Sequence, residues 1–327
     1  MSGLERHWYR LTPLHLLLIP ASLIFRLLAA LRRALYRAGL LHSERLPVPV
    51  VVVGNINVGG AGKTPLTLAL AQQLIEQGRH PLIVSRGHGG DSVQPRAVTP
   101  DSDPAQVGDE PLLMARRKLC PVWVGHDRAA AAHAGMQANP QCDVILCDDG
   151  LQHYRLQRDV EIAVVDGMRG YGNGWLLPAG PLREPVSRLR SVDAVVINGG
   201  DTAPGQFAMR LEGAVFHNLL DPGRTVEASH FIAARNHAVA GIGNPQRYFN
   251  HLEALGIRHT PHPFPDHHPY CANDLAFADC DAILLTEKDA VKCAPFADAR
   301  YWMLRVEARI DPALIAHILR KIAPHGC

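Results

Sequence analysis

Residues 46–65 read LPVPVVVVGNINVGGAGKTP. Leu46 to Val53 is a short run of branched apolar residues, the composition of a strand buried on both faces of a parallel sheet. The turn after it carries Gly59, Gly60 and Gly62 and ends in Lys63 and Thr64, and Leu66 to Gln77 has the pattern of a helix. Strand, glycine-rich loop, Gly-Lys-Thr and helix, in that order, is the setting of a phosphate-binding loop. Its backbone N–H groups and the helix N-terminus cradle phosphates. The lysine reaches the outer phosphates and the threonine hydroxyl ligates Mg2+. The nucleotide-binding stretch is therefore Asn57, Val58, Gly59, Gly60, Ala61, Gly62, Lys63 and Thr64. Asn57 stands where the usual pattern has its first glycine, and asparagine tolerates a left-handed backbone better than most residues. Lysine is scarce here (63, 118, 288, 292 and 321 only), so Lys63 is not one of a crowd of surface lysines.

Outward from this loop, Asp143 to Cys147 (DVILC) is a second apolar strand, followed by Asp148-Asp149-Gly150-Leu151-Gln152-His153. An acidic residue at the end of such a strand, downstream of a phosphate loop, holds Mg2+ directly or through water. Further strands are expected at 49–53, 82–85, 121–124, 161–165 and 193–197, with helices between several of them. That alternation predicts an α/β fold of the P-loop NTPase kind, a parallel sheet with helices on both faces. In the C-terminal part, Val239 to Ile242 and Ala282 to Thr286 are strand candidates and Gln246 to Leu255 reads as a helix. Gly199, Gly200, Gly205 and the turn Asp221-Pro222-Gly223 mark a linker. The expected division is an arm over 1–45, a P-loop domain over 46–226 and a smaller α/β lid over 227–327.

The chain has 327 residues, 47% hydrophobic and 20% charged, enough to bury a sizeable core. A net charge of +2 argues against a bulk nucleic-acid binder. The average hides an asymmetry. Residues 1–45 hold seven arginines against Glu5 and Glu44, a balance of +5, which leaves 26 basic and 29 acidic residues, or −3, elsewhere. The seven cysteines are scattered and form no CxxC pair, so neither a zinc ribbon nor a disulfide framework is indicated. Leu16 to Phe25 is apolar apart from Ser22, with Pro20 inside it, and too short to span a bilayer core that needs about 20 residues. Ala21 to Leu40 reads as an amphipathic helix. Ile24, Leu28, Leu31 and Leu35 share one face, while Arg26, Arg33 and Arg37 fall on the opposite one with Arg32 at its flank. Such a helix suits the surface of an anionic membrane; packing on the protein's own core is the alternative.

Together with these features, further segments resemble one family. They are Trp8, Ser85-Arg86-Gly87, Val107-Gly108-Asp109-Glu110-Pro111, Leu177 to Glu184 (LPAGPLRE), Gly241 to Pro245 (GIGNP), Phe264 to His267 (FPDH) and Thr286 to Asp289 (TEKD). In this order they resemble the tetraacyldisaccharide 4′-kinases, over nearly the whole chain. The resemblance implies an ATP- and Mg2+-dependent kinase, peripheral or monotopic at the cytoplasmic face of a bacterial inner membrane. Its substrate would be a lipid A precursor disaccharide in the membrane, phosphorylated on the 4′-hydroxyl. An anionic lipid surface is then the expected partner, with no nucleic acid and no obligate protein partner.

By the same resemblance, Asp109 is the general base that a sugar hydroxyl requires, and His267 pairs with it from the lid. Lys63 joins them as a catalytic residue. Thr64, Glu110 and Asp149 form the expected Mg2+ set, carboxylates and a hydroxyl suiting this hard cation. Asp148 acts beside them or in the site directly. Arg86, Arg128 and Arg183 are candidates for phosphate contacts on ATP or on the substrate 1-phosphate. Gln152, His153 and Glu184 are expected to contact the disaccharide. Two positions depart from the family: His88 stands where tyrosine is usual, and Leu151 replaces a phenylalanine. The competing reading is a GTPase or ATPase switch protein at the membrane, for which TEKD has the form of a guanine-recognition motif. A non-enzymatic membrane tether is the third, and the phosphate loop and acidic strand ends count against it.

Overall fold

The computed structural model describes residues 5–9, 13–91 and 94–323. Arg10 and Cys327, counted above, lie outside them. The chain enters through a short helix α1 (Glu5–Trp8) and a long one, α2 (Pro13–Arg37). It then builds a sheet from β1 (Val50–Gly54), β2 (Pro81–Ser85), β3 (Arg96–Val98), β4 (Val122–Val124), β5 (Val144–Asp148), β6 (Val160–Asp166), β7 (Ala194–Asn198) and β8 (Phe207–Glu212). The helices of this part are α3 (Lys63–Glu76), α4 (Pro104–Val107), α5 (Asp109–Arg116) and α6 (Arg128–Ala138). A second sheet follows from β9 (Val215–Asn218), β10 (Thr225–Glu227), β11 (Asn236–Ala240), β12 (His259–Pro263), β13 (Ala282–Thr286) and β14 (Tyr301–Leu304), with α7 (Pro245–Ala254) and α8 (Glu287–Cys293). The last strand, β15 (Glu307–Ile310), and helix α9 (Pro312–Ile322) close the chain.

The first sheet runs β15-β8-β7-β6-β1-β5-β2-β4-β3. Its inner strands are parallel, and both edge pairs, β15 with β8 and β3 with β4, are antiparallel. Strand β1 lies centrally between β5 and β6 and is buried throughout. Its valines divide by parity, as a strand requires. Val51 and Val53 pack with Leu66, Leu70 and Leu74 of α3 and with Leu314 and Ile318 of α9. Val50 and Val52 pack on the other face with Leu82, Val84 and Ala129, Ala131 and Ala132 of α6. Burying four valines, each worth roughly 1.5–3 kcal/mol, anchors the strand from which the phosphate loop springs.

The sheets divide the chain differently from the expected boundary at 226/227. Strands β9 and β10 already belong to the six-stranded sheet, ordered β10-β9-β14-β13-β11-β12. Strand β15 returns to the nine-stranded sheet, and α9 packs into that sheet's core. Residues 307–322 therefore pack with the P-loop unit rather than with the lid. Two strand pairings far apart in sequence decide this, and no local pattern announces them. Strand β11 also begins earlier than the expected 239–242, because Asn236 is drawn in by its side-chain amide, which donates to the carbonyls of Phe231, Ala234 and Arg258.

Helix α2 is longer than the sequence reading allowed. It runs unbroken through Pro20 for 25 residues, and its most apolar 18-residue stretch has mean hydropathy 2.1, long and apolar enough to cross a membrane by length and composition. Its orientation is the informative part. Ser22 donates to the Leu176 carbonyl at 2.8 Å, Phe25 packs beside Ile56, Leu176 and Leu182, and Arg33 donates to Ser191 Oγ at 2.9 Å. The basic face thus turns toward the body. The apolar face turns away from it: Ile24 is 61% exposed, Leu28 58% and Leu31 52%. Only Leu35 of the apolar stripe is half-buried; Arg26, Arg33 and Arg37 line the groove between helix and body, Arg33 half-buried and the other two exposed.

Candidate active site

The phosphate loop is shaped by two left-handed glycines, Gly59 (φ +102°) and Gly62 (φ +98°). Gly62 has no alternative: besides its backbone, a Cβ there would lie 2.3 Å from Asn198 Nδ2, which donates to the Ala61 carbonyl. Gly62 is also the N-cap of α3 and supplies no side-chain cap. The first N–H groups of the helix are left for an anion. Asn57 is not in the left-handed region. It replaces the missing glycine in another way, its amide donating to the Gly170 carbonyl at 2.9 Å while Val58 N–H donates to Pro181. The loop is therefore tied to residues 170–181 rather than left free.

At the end of β5, Asp148 and Asp149 separate in environment. Asp148 is fully buried; Thr67 Oγ1 donates to its Oδ1 at 3.0 Å, and its Oδ2 has no partner among the described residues. Burial, followed by the charge of Glu110, pushes its carboxyl up to about 7. Asp149 turns back through a left-handed residue (φ +47°), a conformation that costs energy in a non-glycine residue and clusters at functional sites. That turn brings its carboxylate 3.5 Å from Lys63 Nζ and within 3.1 and 3.3 Å of the Arg183 fork. Burial opposes ionisation there, but Lys63 and Arg183 outweigh it and hold the group well below the usual carboxylate range. Arg183 also donates to the Asn57 carbonyl and to Asn55 Oδ1. Arg128, buried at the start of α6, donates to the backbone carbonyl of Asp149 at 2.7 Å.

Other expected contacts find partners within the protein. Gln152 Nε2 donates to Glu184 Oε1 at 2.7 Å, and Tyr154 and Arg188 donate to Glu184 Oε2. His153 is held near neutral charge, its pKa lowered to about 4 by burial and then by Arg128. Arg86 is exposed at the end of β2. Leu151 is a packing residue, fully buried against Gly54.

The second half of the site stands on α5. Gly108 precedes it at φ +88°, and a Cβ there would strike the His88 carbonyl at 2.6 Å. This close approach sets Asp109 and Glu110 in the first helical turn, where the helix dipole favours carboxylates. His267, itself left-handed at φ +61°, reaches from the second sheet and brings Nδ1 to 3.2 Å from Asp109 Oδ2. The edge of the His88 ring meets His267 at 5.0 Å between centroids, so the residue at the family's tyrosine position also touches this pair. Lys292 Nζ lies 3.4 Å from the same Asp109 oxygen. Burial pushes the Asp109 carboxyl up, but the His267 hydrogen bond and the ammonium groups of Lys292 and Lys288 outweigh it and keep the group below its ordinary value. Lys288 donates to Glu110 at 3.1 Å and to Asp266 at 2.9 Å.

The two halves meet around one cavity lined by Gly60 to Thr64, Glu110, Asn244, Arg247 and Lys288. Sequence reasoning missed the lid's contribution to it. Lys288 and Lys292 belong to the same short list of lysines that singled out Lys63, and that scarcity was the available signal. Asp166, at the end of β6, was not singled out either. It accepts from Asn244 Nδ2 at 3.1 Å and pairs with Arg247 at 2.6 Å, tying the GIGNP loop to the first sheet. The guanine-recognition reading of TEKD fails, because Asp289 is fully buried and accepts from Gly241 N–H and the Thr286 hydroxyl.

A glycine-rich loop opening a helix, acidic strand ends beside it and a carboxylate on α5 paired with an imidazole from the second sheet define a P-loop phosphotransferase. The family model for tetraacyldisaccharide-1-P 4′-kinase matches residues 14–323. The chain is 55% identical over 332 residues to the tetraacyldisaccharide 4′-kinase of Azoarcus sp. strain BH72, covering 100% of this chain and 97% of that protein. It is 51% identical over 319 residues to the enzyme of the same name from Methylobacillus flagellatus, covering 98% and 95% respectively. Among solved structures, LpxK from Aquifex aeolicus, crystallised with ATP, superposes with a TM-score of 0.78 at 29% identity, over 94% of this chain and 99% of that one. This chain belongs to the tetraacyldisaccharide-1-P 4′-kinase family.

Proposed function

We propose that this kinase transfers the γ-phosphoryl group of ATP to the 4′-hydroxyl of a tetraacyldisaccharide 1-phosphate in lipid A biosynthesis, using Asp109 as general base. The observation that carries the reading is the Asp109–His267 pair, 3.2 Å apart, with Glu110 of the same helix turn and Lys63 lining the adjoining cavity. Phosphoryl transfer asks a protein mainly for positioning and charge. The vacant N–H groups of α3 and the Lys63 ammonium serve the phosphates. Asp109 takes the proton from the attacking hydroxyl, and His267 orients the carboxylate. Arg183, Arg128 and Arg86 serve phosphate groups and the placement of Asp149. Gln152, His153 and Glu184 shape the disaccharide side.

A divalent cation fits the donors present. Thr64, Glu110 and Asp149 offer hard oxygens, and the unpartnered Oδ2 of Asp148 borders them. Among the described residues no group of three His, Cys, Asp or Glu side chains closes on a cation alone. Mg2+ keeps waters and takes phosphate oxygens as ligands, so it needs only a partial set of protein oxygens. Bound there, it would neutralise charge on the nucleotide phosphates.

The same proposal places the enzyme on the cytoplasmic face of the inner membrane, lying on it through α2. The helix is fastened to the body at Ser22 and Arg33. Between them its outward face is apolar, so it dips into the bilayer along its length rather than crossing it. Label from γ-labelled ATP is expected in a tetraacyldisaccharide 1-phosphate only with Mg2+ and detergent or bilayer present. Asp109→Ala is expected to lower turnover by at least about 100-fold with ATP binding nearly intact. Near-normal turnover in that variant would refute the base assignment.

A further inference from the structure

Thr286 to Asp289 is the motif for which the proposed mechanism has no use. Asp289 and Thr286 spend their polar groups on the start of α8 and on Gly241. Glu287 pairs with Arg117. Lys288 is different, since its side chain points into the site with only 12% of its surface exposed. Three acceptors surround its ammonium: Glu110 Oε1 at 3.1 Å, Asp266 Oδ1 at 2.9 Å and His267 Nε2 at 3.2 Å.

The last of these contacts decides a proton position. A lysine ammonium has three donors and no acceptor. The nitrogen it meets, Nε2, must therefore present its lone pair, and a neutral imidazole with its lone pair on Nε2 carries its proton on Nδ1. Nδ1 is the atom that faces Asp109 Oδ2. We propose that Lys288 is a positioning residue for the reaction: by donating to Nε2 it fixes His267 as the Nδ1–H tautomer, so that the ring donates to the catalytic carboxylate.

The other groups facing His267 give Lys288 something to oppose. Asp266 Oδ1 lies 3.8 Å from the same Nε2 and, without the ammonium between them, draws the ring proton to that side. The lone pair of Nδ1 would then confront the Asp109 carboxylate. His88 meets the ring by its edge, and Lys292 sits on Asp109 rather than on the imidazole. Neither selects a tautomer. Asp266, Lys288 and Asp109 thus form a competition for one proton, and Lys288 settles it in favour of Nδ1.

The functional consequence rests on Asp109 being the base; the tautomer itself does not, and the test separates the two. In the full-length protein labelled with 15N-histidine, the His267 ring signals, identified by their loss in His267→Gln, are expected to show a protonated Nδ1 and a lone pair on Nε2. In Lys288→Met the proton is expected to move to Nε2, and in Lys288→Met/Asp266→Asn, where neither rival remains, to return to Nδ1. Turnover should follow the tautomer, falling about 10–100-fold in the single variant at a KM for ATP within about threefold of the parent, and recovering in the double variant. A parent His267 protonated on Nε2 overturns the proposal whether or not any variant folds. So does an Nδ1–H ring unchanged in Lys288→Met, or a double variant that fails to restore it. If instead the tautomers behave as expected while Asp109→Ala keeps its turnover, the base assignment falls and the tautomer proposal stands.

Discussion

Asp148 and Asp149 are adjacent, identical in chemistry and opposite in state. Asp148 is buried with one oxygen unpartnered and is pushed up to about 7, whereas Asp149 is pinned by Lys63 and Arg183 and stays ionised. One left-handed residue makes the difference, since it turns the second carboxylate back toward the phosphate loop. His153, four residues on, is expected to contribute to the pH dependence of stability. Its imidazole has its pKa lowered to about 4 by burial and then by Arg128. A histidine whose folded pKa is depressed stabilises the protein above its unfolded value, roughly 6.5, and loses that contribution as pH falls toward the folded value. Unfolding free energies measured between pH 6.5 and 4 should therefore fall more steeply in the parent than in His153→Gln, by about 1–2 kcal/mol after allowance for solvent screening. Parallel slopes would remove His153 from the acid response. None of this was legible in DDGLQH as a string, because a pKa belongs to neighbours that the sequence places far away.

Helix α2 shows how much an element's pattern determines and where it stops. The helical period correctly separated Ile24, Leu28 and Leu31 from Arg26, Arg33 and Arg37. It did not say which face would turn to the body. The body supplies polar anchors, the Leu176 carbonyl and Ser191 Oγ, and these select the face carrying Ser22 and Arg33. Most of the apolar stripe is left outward, the face on which the proposed membrane contact rests. Ile24→Glu/Leu28→Glu is expected to leave the unfolding midpoint nearly unchanged, because both side chains are exposed, and to lower flotation with anionic liposomes at least about tenfold. Unchanged flotation would assign membrane contact to another surface.

At the scale of the whole molecule, the two sheets are joined by charge. Arg117, following α5, forms a two-pronged pair with Glu287 of α8 at 2.6 Å, while Lys288 and Lys292 of the same helix address Glu110 and Asp109. Three contacts in antiparallel register therefore hold α5 and the residue after it against α8. Burial makes the Arg117–Glu287 pair costly to break from one side, since a lone buried charge would remain. The connection is also covalent in an unexpected sense. Strand β15 and helix α9, at the far end of the chain, complete the first sheet and place Leu314, Ile315, Ile318 and Ile322 in its core. A fragment of residues 46–226, the domain expected from local signals, should consequently fail to fold cooperatively, whereas adding 307–323 through a short linker in place of the lid should restore a two-state transition. A cooperative transition in the shorter fragment would show that β15 and α9 are dispensable.

The sequence by itself determined the phosphate loop, the central strands to within a residue or so, the amphipathic arm and, through ordered motifs, the candidate catalytic residues. Each of these rests on short-range chemistry: glycine where the backbone must turn, branched side chains where a strand is buried on both faces, alternation that follows the period of a helix. Only the tertiary structure decided that β15 returns to the first sheet, that the face of α2 carrying Ser22 and Arg33 turns to the body and that Lys288 stands between Asp266 and His267. Those outcomes depend on contacts between residues up to about 250 positions apart, whose distances are set by how two sheets pack. The single-sequence pattern around Lys288 is ordinary; its meaning comes from the histidine nitrogen 3.2 Å away.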